Sequence, residues 1–207
     1  ARISGSLATQ AGLQAANESN DQQRINQCID NIQLLHSLIM SFGGIPLLYY
    51  GDEIGTHNDC TFLEDAHKAN DNRWVHRPKI DWNKAKLRQQ HGTVEQRIFE
   101  GLQKMIAARK CIEAFADFNN RELINTGNPH LFVFIRSNPK LLNDNVLVVA
   151  NFDSSPQSLS LGDLSNRGSF EYARLQDLYS GETPTLFKDQ LVIPARRFYW
   201  LTDKGMH

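Results

Sequence analysis

The stretch that decides the fold is residues 43–55, Gly-Gly-Ile-Pro-Leu-Leu-Tyr-Tyr-Gly-Asp-Glu-Ile-Gly. Its centre is an apolar and aromatic run interrupted by Pro46. A short apolar run without polar alternation predicts a strand buried on both faces, as in a parallel sheet covered by helices. Asp52 and Glu53 follow directly, at the carboxyl end of this strand, where barrel and open α/β enzymes place their sites. A core strand with a polar turn is the plainer interpretation.

The composition bounds the class of protein. The 207 residues include 22 basic and 23 acidic side chains, and 41% of the residues are hydrophobic. This is enough for a buried core and for one or two domains. The near-zero net charge gives no argument for binding nucleic acid or an anionic membrane. No apolar run approaches the roughly 20 residues of a membrane span, so we expect neither partner.

The cysteines and histidines predict no metal site. Cys28, Cys60 and Cys111 are far apart and odd in number, which favours free or buried thiols over a metal site or a disulfide framework. The histidines between residues 52 and 92 form no recognisable ligand set. The chain opens on Ala1-Arg2, without an initiator Met or a signal peptide. We expect a piece of a longer protein and leave its localisation open, with the cytoplasm favoured.

The first half of the chain predicts α/β architecture. Apolar residues recur at three- and four-residue steps over a helix at about 22–42, which Ser19, Asn20 or Asp21 can cap. Gly43 suits the C-terminal end of this helix, and a two-residue joint leads into a strand at about 45–50. A second amphipathic helix is predicted at about 93–114. Thr93 and Gln96 suggest a capping box at its start.

The residues between this strand and the second helix predict a structured loop. Residues 51–92 are rich in polar and charged groups, and Trp74, Pro78 and Trp82 argue against disorder because aromatic side chains need packing partners. We expect a loop over the carboxyl end of the strand. One strand with two helices is not a domain, since its edges lack partners, so we expect this half to depend on further chain.

The composition changes near residue 118, where short β-forming runs begin to alternate with turn residues. This pattern predicts an antiparallel sheet or sandwich that serves for packing. The predicted strands are Arg121–Asn125, Leu131–Arg136, Val146–Asn151, Gln157–Leu161, Phe170–Leu178, Leu186–Val192 and Arg197–Leu201. Tyr172, Tyr179, Tyr199 and Trp200 could stack on sugar rings, although core packing is the favoured use.

Several motifs resemble a known enzyme family. Residues 44–53, Gly-Ile-Pro-Leu-Leu-Tyr-Tyr-Gly-Asp-Glu, resemble the eighth barrel strand of the α-amylase (glycoside hydrolase 13) family. Residues 2–8 (Arg-Ile-Ser-Gly-Ser-Leu-Ala), 55–59 (Gly-Thr-His-Asn-Asp) and 71–78 (Asp-Asn-Arg-Trp-Val-His-Arg-Pro) are similar to its amylosucrase-like branch. The resemblance runs through essentially the whole chain.

The resemblance implies a fold in two parts. Residues 1–117 would be the C-terminal part of a (β/α)8 catalytic barrel, containing the last helices, the eighth strand and the active-site loop. Residues 118–207 would be an antiparallel β-sandwich domain.

The resemblance also implies an activity for the intact parent protein. This activity is retaining glucosyl transfer from sucrose to an α-1,4-glucan with release of fructose and without a cofactor. A sucrose hydrolase or sucrose phosphorylase relative, and a non-catalytic carbohydrate-binding or scaffold module, stay open as alternatives.

The roles of single residues follow from the same resemblance. Arg73 matches the arginine at the floor of the glucose pocket, which pairs with an aspartate from an early barrel strand; an exposed loop arginine is the plainer interpretation. Asp71 and His76 flank Arg73 and would orient it. Asp52 and Glu53 would shape the loop after the eighth strand.

No residue of this chain is assigned a catalytic role. The family's nucleophile, acid/base and third acidic residue lie on strands four, five and seven, which would precede residue 1. We therefore expect this chain by itself to be inactive. We also expect it to self-associate through exposed barrel edges.

Overall fold

The contacts within the chain define two compact units. The computed structural model describes residues 4–138, 140–141, 145–164 and 170–204. The first unit comprises Ala1–Gln33 and Leu48–Gln103, and the second comprises Leu34–Leu47 and Lys104–His207. The predicted boundary at residues 117 and 118 therefore falls inside the second unit. The physical reason is that residues before 118 pack against the β-strands of that unit, as described below.

Five α-helices occur in the described residues, two of them long. They are α1 (Leu7–Gln10), α2 (Leu13–Glu18), α3 (Gln22–Ser41), α4 (Trp82–Lys86) and α5 (Val94–Cys111). Helices α3 and α5 lie where helices at about 22–42 and 93–114 are predicted. None of the helices in the described chain is long and apolar enough to cross a membrane.

Side chains cap the N-termini of the two long helices. Asp21 Oδ1 accepts a hydrogen bond from the Arg24 N–H at 3.0 Å, so Asp21 caps α3. Thr93 Oγ1 accepts from the Gln96 N–H at 3.2 Å and caps α5. Gln96 Oε1 accepts in return from the N–H of Gly92, one residue earlier than the predicted capping box requires.

The helices of the first unit bury one apolar core. Apolar positions on α1, α2, the first part of α3 and the first part of α5 meet there because they recur on one helix face. Its buried members are Ala8, Leu13, Ala16, Ile25, Cys28, Ile29, Ile32, Ile98 and Leu102. Residues 51–92 are built of short turns, as the predicted loop requires. Besides α4, this segment contains the 3-10 helices Asp52–Ile54, Thr61–Glu64, Asn72–His76 and Leu87–Gln89.

The second unit contains two antiparallel sheets, which confirms the predicted antiparallel β domain. The strands are β1 (Arg121–Ile124), β2 (Leu131–Ser137), β3 (Asn145–Asn151), β4 (Gln157–Ser160), β5 (Gln176–Asp177), β6 (Thr185–Phe187), β7 (Gln190–Ile193) and β8 (Phe198–Thr202). One sheet has the order β1-β2-β3-β8-β5 and the other the order β4-β7-β6. Every pairing between these strands is antiparallel.

The two sheets share a core, as in a β-sandwich. Alternate residues of each strand point to the same face, so one face of the five-stranded sheet meets one face of the three-stranded sheet. The buried residues of this core are Ile124, Val133, Ile135, Leu147, Val149, Leu159, Leu164, Leu175, Leu191, Ile193, Tyr199 and Leu201.

The opposite face of the five-stranded sheet is also covered within the second unit. The Phe42 ring lies 5.5 Å from the Phe134 ring in an edge-to-face arrangement. Phe115 makes the same kind of contact with Trp200 at 5.0 Å. Residues from the end of α3 and from the segment after α5 thus form a layer over this sheet. They belong to the β domain by packing, although sequence order separates them from it.

Arg136 of β2 donates from the sheet to this layer and is fully buried. Its Nη1 donates to the Ser41 carbonyl and its Nη2 to the Asp117 carbonyl. Its Nε donates to Asn120 Oδ1 at 2.5 Å. Burial, together with the charge of a neighbouring arginine, lowers the pKa of Arg136 to about 10. The guanidinium is therefore satisfied by carbonyl and amide oxygens.

Arg109 of α5 holds the end of α3 in a similar way. Its Nη1 donates to the Met40 carbonyl, and its Nη2 donates to the Gly44 carbonyl at 3.3 Å. The last carbonyls of a helix have no partner within the helix and carry partial negative charge, which a cation offsets.

The predicted strand at about 45–50 is wrong. Residues 45–49 belong to no helix or strand, and the side chains of Ile45 and Leu47 are 84% and 83% exposed. The prediction assumed neighbouring parallel strands on both sides. The described residues before 121 supply none, so this segment has neither ladder partners nor a covering layer.

Two predicted strands of the β domain also need correction. The run Leu186–Val192 is a hairpin of β6 and β7, because Lys188 adopts a φ of 55° and reverses the chain. In the run Phe170–Leu178 the chain forms a 3-10 helix at Tyr172–Arg174, and only Gln176–Asp177 pairs as a strand.

Candidate functional site

The predicted site residues lie in the first unit, on the turn after residue 50 and on the segment 71–78. Gly51 and Gly55, with φ of 87° and 60°, bracket the 3-10 helix Asp52–Ile54. The Gly51 N–H donates to Glu53 Oε2 at 2.7 Å, and the Thr56 N–H donates to the Gly51 carbonyl at 2.9 Å. The backbone N–H of Gly51 thus holds the Glu53 carboxylate against its own turn.

Asp52 has a different environment from Glu53. Burial, and secondarily the charge of Glu53, raises the pKa of the Asp52 carboxyl to about 6. No side-chain hydrogen bond to this carboxyl is formed by the described residues. The Asp52 carboxyl therefore gains or loses its proton around pH 6, where an ordinary aspartate is ionised.

Lys84 of α4 anchors the turn from the other side. Its Nζ donates to the Gly55 carbonyl at 2.9 Å and lies 3.9 Å from Glu95 Oε1. Burial lowers the pKa of the Lys84 ammonium. Sequence reasoning missed this contact, because a lysine in a polar segment is ordinarily a solvated side chain.

The residues just after the turn bind to the N-terminal helices of the unit. His57 Nε2 lies 3.2 Å from Asn17 Nδ2. Burial and then the charge of a neighbouring lysine lower the pKa of His57 to about 4, so the ring is neutral at pH 7. Asn58 Oδ1 accepts from the Ser6 N–H at 2.7 Å, and the Asn58 N–H donates to Thr9 Oγ1 at 2.9 Å.

Arg73 and Asp71 form a local ion pair. Arg73 Nη2 lies 2.7 Å from Asp71 Oδ2, and Arg73 Nε lies 2.8 Å from Asp71 Oδ1. Hydrogen bonds from Arg73 lower the pKa of the Asp71 carboxyl to about 2. The Arg73 side chain is half exposed, and its Nη1 bonds to none of the described residues.

The structure brings the two motif segments into contact through aromatic side chains. The ring of Tyr49 lies 5.6 Å from the ring of His76, and the Tyr50 hydroxyl donates to the Pro78 carbonyl at 3.2 Å. His76 Nδ1 is buried and has no hydrogen-bond partner among the described residues. The rings of Tyr49 and Tyr50 lie 4.8 Å apart and are partly exposed.

Other predicted residues are not brought together. No hydrogen bond or ion pair between described residues joins Asp52 or Glu53 to the Asp71–Arg73 pair. No group of three or more His, Cys, Asp and Glu side chains suited to a metal ion occurs in the described part of the chain.

The aromatic residues considered for sugar stacking sit in the second unit. Tyr199 and Trp200 are buried, which leaves their rings no exposed face. A cavity of about 540 Å³ in the same unit is lined by residues of both charges and does not include the predicted site residues. It is lined by Arg109, Lys110, Ile112, Glu113, Phe115, Ala116, Asp117, Asn138 and Lys140.

Comparison with known proteins locates the family resemblance. Residues 121–200 match the family model described as the C-terminal domain of maltogenic amylase. The trehalose synthase/amylase TreS of Mycobacterium tuberculosis is 28% identical over an alignment of 213 positions, which covers 86% of this chain and 33% of TreS. The chain thus spans about a third of the length of this relative.

Solved structures of low sequence identity share the fold. AmyP in complex with maltose matches with a TM-score of 0.62 and 15% identity, over 89% of this chain and 38% of AmyP. Pullulanase from Bacillus acidopullulyticus matches with a TM-score of 0.61 and 16% identity, over 97% of this chain and 23% of the pullulanase. The family model and the trehalose synthase/amylase relative support the α-amylase (glycoside hydrolase 13) superfamily, and the solved structures show the shared fold.

Proposed function

We propose that the chain is the C-terminal portion of a sucrose-using retaining α-transglucosylase of the amylosucrase type. The parent enzyme would transfer a glucosyl group from sucrose to an α-1,4-glucan and release fructose. In this proposal residues 1–117 are the C-terminal part of a (β/α)8 barrel, and residues 118–207 are the C-terminal β domain. Sucrose and α-glucan are the partners of the parent, and the chemistry needs no cofactor.

The observation that carries the proposal is the contact between the two motif segments. Tyr49 meets His76, and Tyr50 bonds to Pro78, so the segment 71–78 is held beside the turn after residue 50. Arg73 is thereby presented half exposed, with Nη1 free to donate to a group outside the described residues. A forked, permanently charged donor suits a carboxylate or sugar oxygens.

The contacts of Glu53, Asp71 and His76 fit supporting roles. Glu53 accepts from the Gly51 N–H and closes the turn, while Asp52 flanks the same turn. Asp71 fixes the orientation of the Arg73 guanidinium. The Asp71 carboxyl has a pKa of about 2, so it is ionised at neutral pH and cannot serve as a general acid. His76 packs on Tyr49. We expect the nucleophile and the acid/base of the parent enzyme to lie in the region of the relatives that this chain does not cover.

A second candidate activity follows from the curated relative. TreS is a trehalose synthase/amylase, so maltose, trehalose or an α-glucan is an alternative donor. Sucrose hydrolysis, sucrose phosphorolysis and non-catalytic carbohydrate binding by the β domain are further alternatives. They differ in their products, which makes them separable in one assay.

The test compares the 207-residue chain with the full-length product of its gene on sucrose, maltose, trehalose and starch. We expect fructose release from sucrose and elongation of an α-glucan by the full-length protein, and no turnover by the shorter chain. Turnover of maltose or trehalose without sucrose turnover would favour the second candidate. Sucrose turnover by the 207-residue chain would overturn the assignment of catalysis to residues outside it.

A substitution in the full-length protein tests the role of Arg73. Arg73→Lys keeps the charge but loses the forked donor, so we expect a 10²-fold or larger fall in kcat/KM, an order-of-magnitude expectation for a lost positioning contact. Arg174→Lys is the matched control, because Arg174 also forms an exposed, local ion pair, with Glu171 at 3.3 Å. Equal activity of the two variants would remove Arg73 from the site.

A further inference from the structure

Two motifs of the first unit have no part in the proposed function. They are residues 2–8, of which residues 4–8 are described, and residues 55–59. Hydrogen bonds connect both of them to the segment 71–78, which carries Arg73. These contacts begin at helix α1 and end in the 3-10 helix Asn72–His76.

Helix α1 is the fixed end of these contacts. Ala8 is 2% exposed and belongs to the apolar core of the first unit. Ser6 caps the helix, because its Oγ accepts from the Thr9 N–H at 3.3 Å. Thr9 Oγ1 donates to Gln14 Oε1 at 2.9 Å, which leaves the lone pairs of this hydroxyl to accept from other donors.

Asn58 binds to the beginning of helix α1 at two points. Its Oδ1 accepts from the Ser6 N–H at 2.7 Å, and its own N–H donates to Thr9 Oγ1 at 2.9 Å. One bond holds the side chain of Asn58 and the other holds its backbone. The direction in which the chain continues to residue 59 is therefore set by helix α1.

Asp59 contacts the segment that carries Arg73. Its N–H donates to the Val75 carbonyl at 2.8 Å. Val75 lies in the 3-10 helix Asn72–His76, which Asp71 caps by accepting from the Arg73 N–H at 3.1 Å. Arg73 precedes Val75 by two residues in this short helix, so a shift of Val75 moves the Arg73 backbone with it.

We propose that Asn58 is a positioning residue, which fixes the segment that carries Arg73 relative to helix α1. Asn58 is assigned no contact with the substrate. Its role in activity rests on the proposed function, since it requires that Arg73 act in the sugar-binding pocket. A displacement of about 1 Å can cost about 10²-fold in rate, so the loss of one hydrogen bond in this series is enough to lower activity.

Paired substitutions in the full-length protein remove or keep each bond. Asn58→Leu keeps the size of the side chain but loses Oδ1, whereas Asn58→Asp keeps an acceptor for the Ser6 N–H. Thr9→Val removes the acceptor of the Asn58 N–H, and Thr9→Ser retains it. Asn128→Leu is the matched control, because Asn128 Oδ1 also accepts a backbone N–H, from His130 at 3.0 Å, but in the second unit.

Hydrogen exchange measures how firmly the 3-10 helix is held. It is followed at the N–H groups of Trp74 and Arg77, which donate to carbonyls of the same segment at 3.2 and 3.0 Å. We expect exchange at these groups to rise about tenfold in Asn58→Leu and in Thr9→Val, the order of magnitude of one lost hydrogen bond. The wild-type rate should persist in Asn58→Asp, in Thr9→Ser and in Asn128→Leu.

Unchanged exchange in Asn58→Leu would overturn the proposal. An equal rise in Asn128→Leu would do the same, because it would show a general loosening of the protein. If Asn58→Leu does not fold, Thr9→Val decides between the same outcomes through the other bond of Asn58.

The activity of the full-length protein tests whether Asn58 acts through Arg73. We expect kcat/KM to fall about tenfold in Asn58→Leu and to recover in Asn58→Asp. In an Arg73→Lys background, Asn58→Leu should change kcat/KM by less than about twofold, because the contribution of the positioned guanidinium is already lost. Fully additive losses would mean that Asn58 acts by another route, and unchanged kcat/KM in Asn58→Leu would remove its role in activity. Either result overturns the proposal.

The two measurements separate a failure of this proposal from a failure of the proposed function. The kinetic comparison uses whichever of sucrose, maltose, trehalose and starch the wild type turns over, so activity on another donor contradicts sucrose use but not the role of Asn58. Hydrogen exchange needs no substrate. If the wild type is inactive on all four, the proposed function fails, and exchange alone decides whether Asn58 fixes the segment.

Discussion

Gly55 shows how much a single residue can matter in the turn of the candidate site. Its φ is 60°, and a Cβ added there would lie 2.8 Å from Ile98 Cδ1 and 3.2 Å from Leu13 Cδ2. Gly92 has a similar left-handed φ of 86°, but nothing lies within 4 Å of the position of its Cβ. Comparing substitutions at these two glycines therefore distinguishes the cost of backbone strain from the cost of steric overlap.

We predict that Gly55→Ala lowers the free energy of unfolding by about 2–4 kcal/mol, the sum of left-handed strain and core overpacking. Gly92→Ala should cost about 1–2 kcal/mol, because strain acts there alone. Urea denaturation of both variants measures the difference. Equal losses would show that the contact of Gly55 with Ile98 relaxes freely.

Asp52 and His57 give the first unit opposing dependences on pH. Asp52 has a raised pKa of about 6, so the stability linked to its protonation is present below pH 4 and is lost as the pH rises through 6. His57 has a lowered pKa of about 4, so its contribution is present above pH 6.5 and is lost as the pH falls through 4.

We predict that Asp52→Asn makes the chain more stable above pH 6 than the wild type. The gain should be on the order of 1 kcal/mol once solvent screening of this half-buried group is allowed for. His57→Gln should instead remove the loss of stability between pH 6.5 and 4. Thermal unfolding from pH 4 to 8 measures both effects. Parallel pH profiles for the wild type and the variants would contradict both pKa shifts.

At the scale of elements, local pattern located the long helices and most strands of the β domain. The run at 146–151 is rich in valine and is buried on both sheet faces. This burial explains why apolar and polar residues do not alternate along it, although it is a strand. The hairpin at β6 and β7 was hidden, because Lys188 is not a residue that ordinarily signals a left-handed turn.

The segment 45–50 shows the limit of pattern reasoning. Its composition is that of a buried strand, yet strand formation depends on neighbours that supply hydrogen bonds and cover the side chains. Composition cannot reveal whether those neighbours exist. The buried Arg136 was missed for a related reason, since its partners are main-chain carbonyls from distant parts of the sequence.

We predict that Arg136→Met lowers the free energy of unfolding by about 2–4 kcal/mol. The change leaves the buried Ser41 carbonyl and partly buried oxygens of Asp117 and Asn120 without their donor. Arg174→Met, at an exposed ion pair, should change stability by no more than about 0.5 kcal/mol. Chemical denaturation compares the two variants. A loss no larger than that of the control would mean that water replaces the guanidinium.

At the scale of the whole molecule, the second unit is larger than the segment that matches the family model. The model matches residues 121–200, but Phe42, Ser41 and Phe115 cover one face of the five-stranded sheet. The sequence located residues 71–78 and 44–53 as the candidate site through their motifs. It could not show that Arg73 pairs with Asp71, because its expected partner lay elsewhere in the fold.

We predict that the isolated chain of residues 118–207 is less stable than that of residues 104–207. Trp200 is the one tryptophan in either piece, is fully buried, and packs on Phe115. Its fluorescence emission should therefore move to longer wavelength when residues 104–117 are removed. Identical emission maxima and melting temperatures for the two pieces would contradict the covering role of this segment.

The covering layer on the five-stranded sheet bears on how such a domain passes between genes. A recombination break at residue 121 would part the sheet from Phe115 and from the carbonyl of Asp117. A protein that received the sheet alone would have an exposed aromatic sheet face, where Phe115 no longer covers Trp200. Its Arg136 guanidinium would have fewer hydrogen-bond acceptors. Viable exchanges should therefore carry the preceding helix with the sheet, so that the heritable module begins well before the recognisable domain.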